Sequence, residues 1–146
     1  MIRPKVAKPT AAEERRAYEI ATARDEGKCV RCHRGGTVHR DHRLNRSQGG
    51  LTTPANLQIL CGPANGYMGA PRLGQGCHAW VTEHPREAVE DGWAVPGYAD
   101  PHLWPARRWI PTDHGTLRIV WVLYSDLGTF EVITDAVADE LRAGAA

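Results

Sequence analysis

His39-Arg40-Asp41-His42-Arg43-Leu44-Asn45-Arg46-Ser47-Gln48-Gly49-Gly50 lies between one cysteine pair, Cys29 and Cys32, and another, Cys61 and Cys77. Asp41 offers a hard oxygen ligand, and His42 beside it a titratable imidazole. Residues 37–42 suit a short strand, on which neighbours point to opposite faces. One member of the pair can therefore hold a metal while the other faces a water molecule. Gly49, Gly50 and Pro54 make 43–56 a long loop. Leu57-Gln58-Ile59-Leu60 alternates weakly and reads as a second strand.

Working outward, Thr10 and Glu13 have the spacing of a capping box, which predicts a helix over 11–24 that Asp25-Glu26-Gly27 ends. Cys29-Val30-Arg31-Cys32 opens a tight turn, closed by Gly35 and Gly36. Fifteen residues separate Cys61 from Cys77, five of them Gly and two Pro, too flexible a composition for regular structure. A short helix is expected at 78–83, and Pro85 starts another that Gly92 stops. Residues 109–133 alternate, with Leu117, Ile119, Trp121 and Leu123 on one face and turns at 113–115 and 126–128. This predicts a small antiparallel meander, then a helix from Asp135. The fold class expected is α+β: a flexible basic arm at 1–10, a main domain at 11–96 and a β-rich extension at 97–146.

At 146 residues the chain suits one domain with a real core rather than two full ones. It has no apolar run long enough to span a bilayer and no apolar signal-peptide core near its start, so a cytoplasmic location with no membrane partner is expected. In that compartment four cysteines read better as zinc ligands or free thiols than as two disulfides. The net charge is only +1, yet residues 1–50 carry twelve Lys/Arg against six Asp/Glu. A phosphate backbone is attracted to such a surface; the alternative is an ordinary solvated basic face.

Four thiolates suit tetrahedral zinc, and Cys29-x-x-Cys32 supplies two from one bend. The alternative is two buried free cysteines plus a chance pair. A zinc with four sulfur ligands has no position left for water, so Asp41 and His42 must do other work. Phosphodiester hydrolysis needs an activated water, charge neutralisation on the phosphate and stabilisation of the leaving oxygen. A neutral histidine suits the first task at physiological pH, and a divalent metal on Asp41 and a second ligand suits the other two.

Taken in order, Cys29/Cys32, Asp41-His42, Gly49-Gly50, Asn56-Leu57, Leu60-Cys61 and Cys77-His78 resemble the HNH endonuclease family, in its phage and bacterial branch with a four-cysteine zinc knuckle. The resemblance covers about 29–84. It implies a ββα-metal finger, with His42 as general base, Asn56 fixing the loop that orients it, and Asp41 with His78 as ligands of a catalytic divalent metal (Mg²⁺, Mn²⁺, Ni²⁺ or Zn²⁺). It also implies a structural Zn²⁺ on Cys29, Cys32, Cys61 and Cys77, and 5′-phosphate and 3′-hydroxyl products. The chain departs from the pattern in the long segment between Cys61 and Cys77, and in carrying His39 as well as His42. His42 is the expected base, and His39 a strand residue beside the same loop.

Arg40, Arg43 and Arg46 flank the base and are the expected phosphate contacts, with solvated surface charge as the alternative for each. His33 reads as a surface or zinc-neighbouring residue, His84 as a helix cap, and His102 and His114 as loop residues without partners. The five tryptophans read as core or interface. The function expected is metal-dependent hydrolysis of DNA. Its rivals are a catalytically silent zinc-knuckle module that binds DNA or a protein, and a component of a phage packaging or recombination machine with weak nuclease activity alone.

Overall fold

The computed structural model of the protein describes residues 6–62 and 76–145. The first five residues of the expected arm, and most of the segment between Cys61 and Cys77, lie outside the described residues. Among those described are four α-helices and two small antiparallel sheets, and no helix is long and apolar enough to cross a membrane.

Helix α1 (Ala11–Arg24) begins on the expected capping box: Thr10 Oγ1 accepts from the Glu13 amide, and Glu13 Oε2 accepts from the Thr10 amide at 2.7 Å. Its buried residues, Ala17 and Ala21, are small, so the helix axis lies close over Leu57. Strands β1 (Val38–His42) and β2 (Leu57–Cys61) pair antiparallel, placing Asp41 opposite Gln58 and His39 opposite Leu60. Residues 57–60 are all buried, which explains their weak alternation: a strand covered on both faces has no solvent side to mark with polar residues. Short helices α2 (Cys77–Glu83) and α3 (Pro85–Glu90) follow.

The extension forms β3 (Ala106–Pro111), β4 (Leu117–Tyr124) and β5 (Phe130–Ile133), a meander in that order, and ends in α4 (Asp135–Gly144). The face of β4 that packs inward is the one opposite Leu117, Ile119, Trp121 and Leu123. Val120, Val122 and Tyr124 pack onto Ala55 and Ala106, while Leu117 and Ile119 remain 43% and 40% exposed. On the other face, Trp121 is covered by the guanidinium groups of Arg107 and Arg142, 4.8 and 4.4 Å from its ring. Both faces of β4 are apolar, so alternation alone could not choose between them. The choice falls to the fit of Val122 and Tyr124 against the small residues Ala55 and Ala106.

Two buried charges tie the extension to the rest. Asp25, at the end of α1, receives Arg24 through paired 2.8 Å hydrogen bonds and Arg108 of β3 at 2.7 Å, and accepts from the Ile59 amide of β2. Arg43 is buried and donates to the carbonyls of Gly92, Ala55, Pro101 and Trp104. A removed charge is tolerable in an interior only with such full pairing. Through Arg108, Pro101 and Trp104, residues 97–145 are thereby tied to the hairpin and to α1.

Candidate functional site

The four cysteines converge. One ligand atom from each of Cys29, Cys32, Cys61 and Cys77 lies within 4.8 Å of all the others, and none is in a disulfide. The Cys32 and Cys61 sulfurs are 3.6 Å apart. That is near the edge, about 3.8 Å, of a tetrahedron with 2.3 Å zinc–sulfur bonds. Gly76 makes this closure possible: its φ is +92°, and a Cβ there would stand 2.7 Å from the Cys61 carbonyl oxygen. The Cys77 amide then reaches Cys61 Sγ at 3.3 Å. Contact with the Cys77 thiol and burial push the Cys29 thiol well up from its ordinary range, and burial raises Cys61. A bound cation reverses that preference, because coordination deprotonates the thiol. Arg31 lies 3.7 Å over the Trp80 ring and donates to Cys77 Sγ at 3.4 Å, placing a positive charge against the cluster. Four cysteines so arranged can hold a metal ion such as zinc.

The residue after Cys77 builds a second centre. His78, in the first turn of α2, directs Nδ1 to within 3.4 Å of Asp41 Oδ1 on β1. That spacing suits two neighbouring ligands of one ion with bonds of about 2.1 Å. His78 Nδ1 is buried, and beyond its ion-pair contact with Asp41 no hydrogen bond among the described residues satisfies it. Such an atom calls for a partner, and the Asp-His donor set fits a divalent cation. The Asp41 carboxylate raises the His78 pKa, against the lowering effect of burial. Gln58, opposite Asp41 on β2, donates to Asp41 Oδ2 at 3.0 Å and to the Trp93 carbonyl at 2.6 Å, aiming the other carboxylate oxygen at His78. His39, two residues before Asp41 and so on the same strand face, stacks on the His78 ring at 5.0 Å.

His42 points to the other side, toward α1. Its Nε2 is 2.9 Å from Thr52 Oγ1, Arg46 Nε approaches the same nitrogen at 3.4 Å, and the Tyr18 ring meets the imidazole edge-on. Burial lowers the His42 pKa, Arg46 lowers it further, and Asp41 and Glu14 offset part of this. The imidazole is accordingly neutral at physiological pH. The Asn56 side chain makes its hydrogen bonds to Leu44 and Leu51, not to His42. It holds both ends of the intervening loop, with Oδ1 accepting from the Leu44 amide at 2.7 Å and Nδ2 donating to the carbonyls of Leu44 and Leu51. Gly50 lets those ends meet, since a Cβ there would stand 1.8 Å from the Leu44 carbonyl oxygen. A cleft of about 370 Å³ beside Asp41 and His42 is lined by Asn45, Gln48, Thr82 and Trp93 among others. A larger hollow, about 510 Å³, lies against the start of α1 and holds none of the candidate metal ligands.

Of the three arginines expected on phosphate, Arg43 is corrected. It is 1% exposed, and its guanidinium is committed to backbone carbonyls, so no phosphate can reach it. Arg40 and Arg46 are exposed. Arg40 donates to Thr22, and Arg46 to Glu14, Tyr18 and Thr52. His102, expected to lack partners, bridges Asp100 at 2.9 Å and Asp126 at 2.7 Å. His84 stacks on Trp80 and bonds its carbonyl, so it closes α2 without capping α3 through its side chain. Sequence reading passed over Thr52 and Gln58. Gln58 follows once the register of the hairpin is known, whereas nothing in the sequence marks Thr52. The chain matches no protein-family model, and no curated protein or solved structure is similar to it at a significant level.

Proposed function

We propose that this chain is a metal-dependent endonuclease of the HNH type, hydrolysing DNA phosphodiesters at a site between β1, β2 and α2. The observation that carries the reading is the approach of Asp41 Oδ1 to His78 Nδ1 at 3.4 Å, with the buried nitrogen otherwise unsatisfied. Support also comes from the element order, a two-stranded hairpin followed by a helix, which is that of a ββα-metal finger. The four-cysteine cluster next to it holds a structural zinc that sets the start of α2.

In this reading Asp41 and His78 hold the catalytic divalent ion, and Gln58 orients the carboxylate. When bound, that ion supplies Lewis-acid stabilisation of phosphate charge and of the leaving oxygen. His42, neutral and adjacent to Asp41, accepts the proton of the attacking water. Asn56 fixes the loop behind it, so that little rotational freedom remains to be lost on the way to the transition state. Arg40 and Arg46 neutralise flanking phosphates.

Plasmid cleavage by wild type, His42→Ala, Asp41→Ala and His78→Ala, across Mg²⁺, Mn²⁺, Ni²⁺ and Zn²⁺, tests the assignment alongside calorimetric metal binding. His42→Ala is expected to bind metal normally and cleave roughly 10²–10⁴ times more slowly. The two ligand variants should lose metal affinity, with cleavage partly restored at high metal concentration. Full activity in His42→Ala, or normal metal binding by Asp41→Ala, would refute the division of roles. A protein inactive with every metal would point instead to a silent DNA-binding module.

A further inference from the structure

Thr52 is 3% exposed, and its hydroxyl is aimed at the imidazole of His42, with Oγ1 and Nε2 2.9 Å apart. A buried hydroxyl needs a partner, and this one has two: Arg46 Nη2 donates to the same oxygen at 3.0 Å. Thr52 itself is held from behind. Asn56 Nδ2 donates to the carbonyl of Leu51, the preceding residue, at 2.9 Å. A chain of contacts thus runs from Asn56 through Leu51 to Thr52 and on to His42. It explains how the Asn56 side chain, hydrogen-bonded to Leu44 and Leu51, can govern the His42 imidazole.

We infer that Thr52 is a positioning residue that orients the His42 imidazole through its Oγ1–Nε2 hydrogen bond, and that this is the last link by which Asn56 acts. The inference rests on the reading of His42 as the base. An imidazole on a strand can rotate about two bonds, and a hydrogen bond at one ring nitrogen fixes where the other points. A third group that orients the base in this way recurs wherever histidine serves as one. Thr52 lies on the His42 side of the hairpin, whereas the Asp41–His78 pair faces α2. Its loss should therefore disturb the base and leave the metal site alone.

The test is a double-mutant cycle in the 146-residue chain, with Thr52→Val, which keeps the shape and removes the hydroxyl, Thr52→Ser, which keeps the hydroxyl, and His42→Ala. Single-turnover cleavage, divalent-metal affinity by calorimetry and DNA affinity without metal are measured for each. Thr52→Val is expected to slow the cleavage step by roughly 10- to 100-fold, with metal and DNA affinities unchanged. Thr52→Ser should recover most of the rate. In the His42→Ala background, adding Thr52→Val should cause no further loss, because a residue acting through His42 has nothing left to act on. Independent, additive losses, or a Thr52→Ser as slow as Thr52→Val, would overturn the inference and leave His42 as the base. Full activity of His42→Ala would instead refute the reading on which it stands.

Discussion

Replacing Arg43 by Ala should damage the fold, not the grip on DNA. The guanidinium donates to Gly92 at 3.0 Å, Pro101 at 3.0 Å, Ala55 at 3.2 Å and Trp104 at 2.7 Å. Burial lowers its pKa to about 10, so it remains charged at neutral pH. Truncation strands four carbonyls, three in buried hydrogen bonds and that of Pro101 in a half-buried one, at about 1 kcal/mol or more each, and relief of the arginine's own desolvation offsets only part of this. The net expected loss is about 4 kcal/mol, large against the roughly 5–15 kcal/mol of a typical domain. At about 2–4 °C per kcal/mol the melting temperature should fall by roughly 8–16 °C. Arg43→Lys keeps the charge but not the planar fork, and should fall in between by thermal and urea unfolding. DNA binding by folded Arg43→Ala should keep the wild-type salt slope, whereas Arg46→Ala should lower it by about one unit. A melting temperature near wild type, together with a reduced salt slope, would refute the structural role of Arg43.

Zinc removal is the next test: metal analysis should find one tightly held zinc for the four-cysteine cluster, and chelation or Cys29→Ser with Cys61→Ser should lower thermal stability. Because Cys77 and His78 are consecutive, the same treatment should abolish divalent binding at Asp41–His78, which calorimetry of the stripped protein checks. His102→Gln tests the bridge between Asp100 and Asp126. Burial lowers the His102 pKa, but the two carboxylates outweigh it and leave it raised. A raised folded pKa contributes stability that is full below the unfolded value, about 6.5, and is lost as pH rises through the folded one. The wild-type advantage in melting temperature should therefore be largest near pH 5.5 and vanish in the alkaline range; an advantage that does not vary with pH would exclude the bridge. Gly50→Ala forces a Cβ into the Leu44 carbonyl, so the loop behind His42 must open. Slower cleavage with unchanged metal affinity is expected, and wild-type cleavage would mean that the loop does not set the base.

The elements were legible where local chemistry fixes them. The Thr10–Glu13 capping box, Pro85 at the start of α3, and the turns at 113–115 and 126–128 each act within a few residues, and each marks a real boundary. The four cysteines were legible because their chemistry narrows their partners, even across a long intervening segment. What remained hidden depends on contacts distant in sequence. Arg43 looks like its exposed neighbours Arg40 and Arg46, and only carbonyls up to 61 residues away distinguish it. The inward face of β4 is likewise set by Ala55, on a different segment. His102 gained partners through the fold, from Asp126 on the turn between β4 and β5.

These distant contacts also account for the extension. The hairpin β1–β2 and the seven-residue helix α2 are too small to hold the Asp41–His78 pair rigid alone, since two-stranded ribbons and single short helices are marginal in water. Four supports converge on them. The cysteine cluster fixes the start of α2 beside Cys61 of β2. Asp25 couples the end of α1 to Ile59 of β2 and Arg108 of β3. Arg43, immediately after His42, draws the backbones around Gly92, Pro101 and Trp104 against the start of the loop. Asp126, from the turn after β4, accepts from the Ala55 amide, one residue before Asn56. The loop beside His42 is thus clamped from behind by Pro101, Trp104 and Asp126. A protein truncated after residue 96 would keep every candidate site residue and still lose the clamps on the loop beside His42.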